Sequence, residues 1–221
     1  MMRFKNIFLR VIFIFTFSHS IVFTSAQDSS RLRISLLTVT PGEELYSIFG
    51  HSALRVIDSN SVTDIAFNYG TFNFDDKGFY IKFLRGKLKY MLGADNFEDF
   101  KSTNMSDNRG ITEQVLNFSA EEKINIRHAL IENLKEENKY YLYNFFLDNC
   151  TTRLRDIIVK NHQPHPVLPF VMTAGSTFRD GLHKYQDLSD MPWVKLGMDL
   201  LLGTPADEKM TPAQQEYLPD N

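Results

Sequence analysis

"NFFLDNCTTRLRDIIVKN", residues 144–161, holds the one cysteine of the 221-residue chain. Read locally, Asp148 or Asn149 can cap a helix whose first turn is "CTTR" and whose inward side carries Leu154, Ile157 and Ile158. Cys150 therefore falls at a helix N-terminus. Unpaired N–H groups and the positive end of the helix dipole favour thiolate over thiol there. A nucleophilic cysteine also needs a base, most often histidine, held by a third polar group. The competing reading is an inert buried thiol, the state of most lone cysteines.

The compartment narrows the choice. "MMRFKNIFLR" is cationic, "VIFIFTFSHSIVF" is apolar, and "TSAQD" places Thr24 and Ala26 at the −3 and −1 positions of a cleavage site before Gln27. The apolar run is shorter than the roughly 20 residues of a membrane span and is interrupted by Ser18, His19 and Ser20. Residues 1–26 are thus expected to be a signal peptide, and residues 27–221 an exported chain in an oxidising compartment, periplasm or cell envelope. No cysteine follows the apolar run closely, which removes a lipid anchor from the roles open to Cys150. An intermolecular bridge, a buried filler and a reactive thiol remain.

The composition is that of a globular protein, with 43% hydrophobic, 13% aromatic and 23% charged residues. About 195 residues after the signal peptide suffice for one sizeable core. The net charge of −3 offers no electrostatic footprint for nucleic acid. No spacing of His, Cys, Asp and Glu resembles a metal site, so neither metal nor cofactor is expected. Three prolines in "HQPHPVLPF" mark a connection wrapping the core, and a single domain over 27–221 follows.

The order of elements predicts an α+β fold, a small antiparallel sheet packed with helices. "RISLLTVT" reads as a buried strand, and "PGEELYSIFG" as a loop with a helical turn. "HSALRVIDS" and "TDIAFNYG" form a hairpin across "SNSV". "FYIKFLRGKLKYML" divides into a short helix and a strand; "NFEDFKSTNM" is a short helix and "ITEQVLNF" a strand. "SAEEKINIRHALIENLKEEN" is the clearest helix, with Ser119 and Glu122 as a capping box and Ile124, Ala129, Leu130 and Leu134 on one face. The aromatics from Phe72 to Phe83 and from Tyr140 to Phe146 are expected to fill the core. Arg55 and Arg153 are expected in ion pairs, with Asp148 and Asp156 as candidate partners. Glu43 and Glu44 are expected in solvent.

Of the histidines after the signal peptide, His128 lies within the long helix, while His162 and His165 sit beyond the far end of the cysteine helix. His183 stays open as a partner. His51 begins a strand directly after Gly50, where a side chain is both fixed and accessible. Tyr46 and Ser47 stand close to it and are pocket candidates, as are Asn149 and Tyr69.

"ISLLTVTPGEELYSIFGHSALRV", "FNYGTFNF", "FYIKFLRGKLKYML", "YNFFLDNCTTRLRD" and "LLLGTPAD" together resemble the periplasmic N-terminal domain family of Lnb-type lipoprotein N-acyltransferases, over about residues 32 to 219. More distantly the pattern is similar to circularly permuted NlpC-like and papain-like cysteine enzymes, in which a His on an early strand precedes a late Asn-Cys at a helix start. The resemblance implies a base role for His51 and a nucleophile role for Cys150, and a third group on the strand after the His strand. With the hairpin centred near residues 60 and 61, Ala53 faces Asn68 and His51 faces Gly70. Asn68 then shares the His51 face, and a one-residue slip would present Tyr69 instead. The resemblance further implies acyl transfer or hydrolysis through a thioester, on a lipoprotein or other acylated or peptide substrate of the envelope, near a membrane surface. An NlpC-like cell-wall amidase or endopeptidase and a non-catalytic binding module stay open.

Overall fold

Alternating residues of the first three strands bury two opposite faces, which is why the chain builds a covered sheet with the site at its rim. The computed structural model describes residues 31–44, 46–72, 78, 82, 87–188 and 192–220. The expected signal peptide lies outside them, as does most of the short helix expected in the first part of "FYIKFLRGKLKYML", together with Phe74, Phe79, Tyr80 and Phe83.

The strands are β1 (Leu32–Val39), β2 (His51–Asp58), β3 (Thr63–Phe72), β4 (Lys89–Asn96), β5 (Ile111–Val115) and β6 (Tyr140–Leu142). They form one antiparallel sheet in the order β5-β1-β2-β3-β4-β6. The helices are α1 (Phe97–Ser106), α2 (Ala120–Asn133), α3 (Cys150–Asn161), α4 (Phe178–Leu188), α5 (Pro192–Leu202) and the short α6 (Pro212–Gln215). The fold is α+β, as the sequence predicts.

One sheet face carries Ile34, Leu54, Val56, Phe67 and Tyr69, covered by Ile126 and Leu130 of α2 and by Leu154 and Ile157 of α3. The other face carries Leu37, Val39, Ala53 and Ala66 beneath Phe97 and Phe100 of α1. A third cluster joins Ile48 and Phe49 of the β1–β2 loop to Phe146, Phe178, Met198 and Tyr217. That cluster fastens the C-terminal helices beside the start of α3.

Local chemistry explains the ends. Ser119 and Glu122 form the expected capping box on α2. The inward stripe of that helix is Ile126 and Leu130, whereas Ile124 is exposed. Two residues turn a helix by about 200°, so Ile124 must face away from Ile126. Tyr140, expected in the core, is also exposed because β6 is an edge strand and presents its alternate side chains outward. Arg153 pairs with Asp148, but Arg55 pairs with Asp64 and Glu113, its neighbours across the sheet.

Candidate active site

The β2–β3 hairpin pairs Leu54 with Phe67 and Asp58 with Thr63. Continued toward residue 51, this is the register that sets Asn68 on the face of His51. The structure joins the two directly, with His51 Nε2 and Asn68 Oδ1 2.5 Å apart. Asn68 Oδ1 also accepts the Gly70 N–H at 2.7 Å. That second bond fixes the amide so that its oxygen, not its nitrogen, faces the ring. An oxygen acceptor requires Nε2 to carry a proton, and Nδ1 is then the ring nitrogen left for the thiol.

Gly70 makes room for the imidazole. A Cβ at this position would overlap His51 Cε1 and stand 3.0 Å from Nε2. The β3–β4 register shifts between Asn68 and Thr71, and such an irregularity re-aims side chains at a strand end. Gly50, just before His51, has φ +77, and a Cβ there would sit 2.8 Å from the Val39 carbonyl oxygen. Only glycine allows this tight entry into β2.

Cys150 is the first residue of α3, and Asn149 is its cap. Asn149 Oδ1 accepts the Thr152 N–H at 2.9 Å, and Thr152 Oγ1 accepts the Asn149 N–H at 2.8 Å. Asn149 Nδ2 donates to the carbonyls of Phe145 and Tyr217, each at 2.9 Å. Every polar atom of this buried side chain is thus engaged in holding the helix start. Asn149 borders the cleft, but as a pin.

Cys150 and His51 line the same cleft, close enough for the charge of each to act on the other, and Cys150 Sγ lies 3.9 Å from Thr151 Oγ1. Burial opposes charge on both groups, yet each supplies the other's counter-ion. The thiol is lowered to about 7 against burial, by the charge and hydrogen bond of His51 and by the Ser52 N–H. Burial likewise lowers the imidazole, but the Cys150 charge and the bonds to Cys150 and Asn68 outweigh it and leave His51 raised. The pair is poised to hold thiolate and imidazolium together.

Ser52, Thr151 and Arg109 complete the setting, and sequence reading did not single them out. Ser52 Oγ and Thr151 Oγ1 lie 3.0 Å apart and tie β2 to α3 beside the sulfur. Arg109 donates to the Thr40 carbonyl and to Asn104 Oδ1. Burial lowers its pKa, and its charge is close enough to act on His51. Residues 52 and 151 were open to discovery, since each adjoins a predicted site residue. Arg109 left no local signal.

The dyad opens into a cleft of about 530 Å³. Phe49, Phe72, Tyr90, Tyr143 and Phe145 give it aromatic walls, with Tyr90 and Tyr143 stacked at 4.3 Å. Asp95, Asp99, Asp107 and Arg109 contribute charged groups. Leu218 and Pro219 border it from the C-terminal segment. Tyr46 and Ser47 line it as expected, and Ser47 Oγ donates to the Glu44 carbonyl. Tyr69 does not. It is 1% exposed on the opposite sheet face, where Asn133 donates to its hydroxyl and its carbonyl accepts from Tyr141. Strand alternation, with Asn68 facing the ring, sends its neighbour to the α2 side.

The other histidines go elsewhere. His162 meets Glu122, His165 meets the Val159 carbonyl, His183 meets Asp199, and His128 is exposed near Glu132. Among the described residues no group of three His, Cys, Asp or Glu side chains is arranged to hold a metal ion.

The family model described as the Lnb N-terminal periplasmic domain matches residues 21–172, a span that includes His51, Asn68 and Cys150 and stops before Leu218 and Pro219. No curated protein and no solved structure matches the chain.

Proposed function

From this chain's membership of the Lnb N-terminal periplasmic domain family, we propose that it is an exported cysteine acyltransferase or hydrolase working through a thioester on lipoprotein acyl groups. The observation that carries this reading is the Cys150–His51–Asn68 series at the base of a cleft with aromatic walls. The order of a His strand, a neighbouring Asn strand and a late Asn-Cys helix start also supports kinship with permuted NlpC-like and papain-like enzymes.

In this mechanism His51 Nδ1 takes the Cys150 proton, and the sulfur attacks an ester carbonyl of a diacylglyceryl-cysteine. The C–O bond breaks, and the imidazolium returns its proton to the leaving alcohol. N–H groups at the start of α3 stabilise the oxyanion. An amine then attacks the thioester with His51 as base, giving an amide and restoring the thiol. Water in place of the amine gives a free acid. The aromatic walls suit an acyl chain.

The charged groups along the cleft favour a second reading, cleavage of cell-wall peptide amides by the same dyad. Incubation with a diacylated lipopeptide and with muropeptides, each followed by mass spectrometry of intact protein and products, separates them. Transfer predicts an acyl adduct on Cys150 and an N-acylated lipopeptide, both missing from Cys150→Ser. Cleaved muropeptide without an acyl adduct selects the amidase. No turnover of either substrate leaves a binding module as the better description.

A further inference from the structure

The helix α5, "PWVKLGMDLLL", carries two apolar stripes. Val194, Met198 and Leu202 pack inward against the C-terminal cluster. Trp193, Leu196, Leu200 and Leu201 recur at the same helical spacing on the outside, and their exposures are 82%, 49%, 76% and 57%. The two charged residues of the helix belong to neither stripe. Lys195 is paired with Asp187, and Asp199 with Arg179 and His183. The outer stripe is therefore uncharged and lacks polar side-chain atoms apart from the Trp193 indole N–H.

We infer that the outer face of α5 docks on a lipid surface, lying in the plane of the interface. Two observations select lipid over protein. The four side chains expose on the order of 500–600 Å² of surface, at the upper end of the roughly 300–600 Å² of the largest apolar patch on a typical monomer, which is often functional, and short of the roughly 800 Å² each partner buries in a stable protein pair. A protein interface also has a polar rim and hydrogen bonds throughout, and this stripe offers one donor. An indole flanked by leucines instead suits the boundary between headgroups and acyl chains. The helix has 11 residues, about 16 Å of rise, too short to cross a bilayer and long enough to lie on one. With the helix charges already paired, attachment rests on apolar insertion and not on anionic headgroups. The inference is independent of any activity of Cys150.

Trp193 is the only tryptophan in the chain, so its fluorescence reports on this face alone, whatever the N-terminal apolar run does. The full chain is titrated with neutral phosphatidylcholine vesicles and with the same lipid brominated at shallow acyl positions. Docking predicts a blue shift of the emission, quenching by the brominated lipid and little change between 50 and 500 mM salt. The double variant Leu196→Asp, Leu200→Asp should lose the shift while keeping its far-ultraviolet circular dichroism. Emission that ignores vesicles overturns the inference. So does emission already blue-shifted without lipid in a protein that light scattering finds as a dimer, because a second copy then covers the stripe. If the double variant loses its fold, Leu200→Lys alone decides by the same readout.

Discussion

Asn68 and His51 stand on adjacent strands with 2.5 Å between the amide oxygen and Nε2, and the same oxygen is held by the Gly70 N–H. In the neutral ring this acceptor keeps the proton on Nε2 and leaves Nδ1 as the nitrogen available to Cys150, on a helix that comes much later in the chain.

The reactivity of Cys150 should follow its partner. With the thiol lowered to about 7, alkylation by iodoacetamide should reach half its limiting rate near pH 7, where an ordinary thiol with pKa near ~8.5 is only a few per cent ionised. In His51→Ala the two largest lowering causes vanish while burial, which raises the thiol, stays. The midpoint should then move up by about two units or more. Coincident curves for the two proteins would falsify activation by His51.

Asn68→Ala should weaken the pair without breaking it. The Asn68 bond raises the imidazole pKa, so its loss lowers that pKa and destabilises the thiolate–imidazolium form. A hydrogen bond to a charged group is worth about 1.5–3 kcal/mol, and alkylation at pH 6 should slow roughly tenfold or more. An NMR titration of the His51 ring tests the cause: an unmoved imidazole pKa would assign the slowing to something else.

Gly70→Ala should displace the ring. The added methyl would overlap Cε1 and crowd Asn68 Oδ1, both in movable side chains. Thermal stability should therefore change by less than about 1 kcal/mol, while the low-pH reactivity of Cys150 falls to that of His51→Ala. Wild-type alkylation rates in this variant would show that the ring has no need of the vacancy.

Glu122 is a stability residue. It accepts the N–H groups of Ser119 and Gln163, each at 2.7 Å, and contacts His162 at 3.0 Å. Although burial pushes its carboxyl up, these contacts hold it at about 2. A folded-state pKa below the unfolded value gives stability that is complete above the ordinary carboxylate range. It is lost as pH falls from about 4.5 toward 2. Glu122→Ala should cost about 2 kcal/mol at pH 7, or roughly 4–8 °C in melting temperature, with the difference shrinking at pH 3. Equal melting temperatures at pH 7 would remove Glu122 from this role.

What could be read from the sequence was local. The turn "SNSV" sets the β2–β3 register, and that register alone places Asn68 beside His51. The Asn149 cap likewise follows from the residues around it. Whether Cys150 reaches His51 depends on α3 packing across the sheet, through contacts separated by about a hundred residues. Neither Arg109 nor the Leu218–Pro219 border could be read, because each is delivered by tertiary packing of segments without a site-like pattern. Ile124 misled because an apolar residue on a helix can belong to either side until the neighbouring layer is known. For Tyr69, both registers were chemically sensible, and only the observed pairing sends it to the core.

The Ser52–Thr151 link spans 99 positions of the chain, whereas His51 and Asn68 are only 17 apart. A hairpin closes quickly and alone; a contact of such long range comes after the sheet has something for the helix to dock on. During biogenesis, then, the base and its orienting amide can be assembled while the sulfur is still an ordinary, mostly protonated thiol. In the proposed mechanism the nucleophilic state would arise only when α3 docks, so a nascent or misfolded copy would carry an unactivated thiol. For the proposed enzyme, folding would serve as the maturation event that a zymogen obtains by proteolysis.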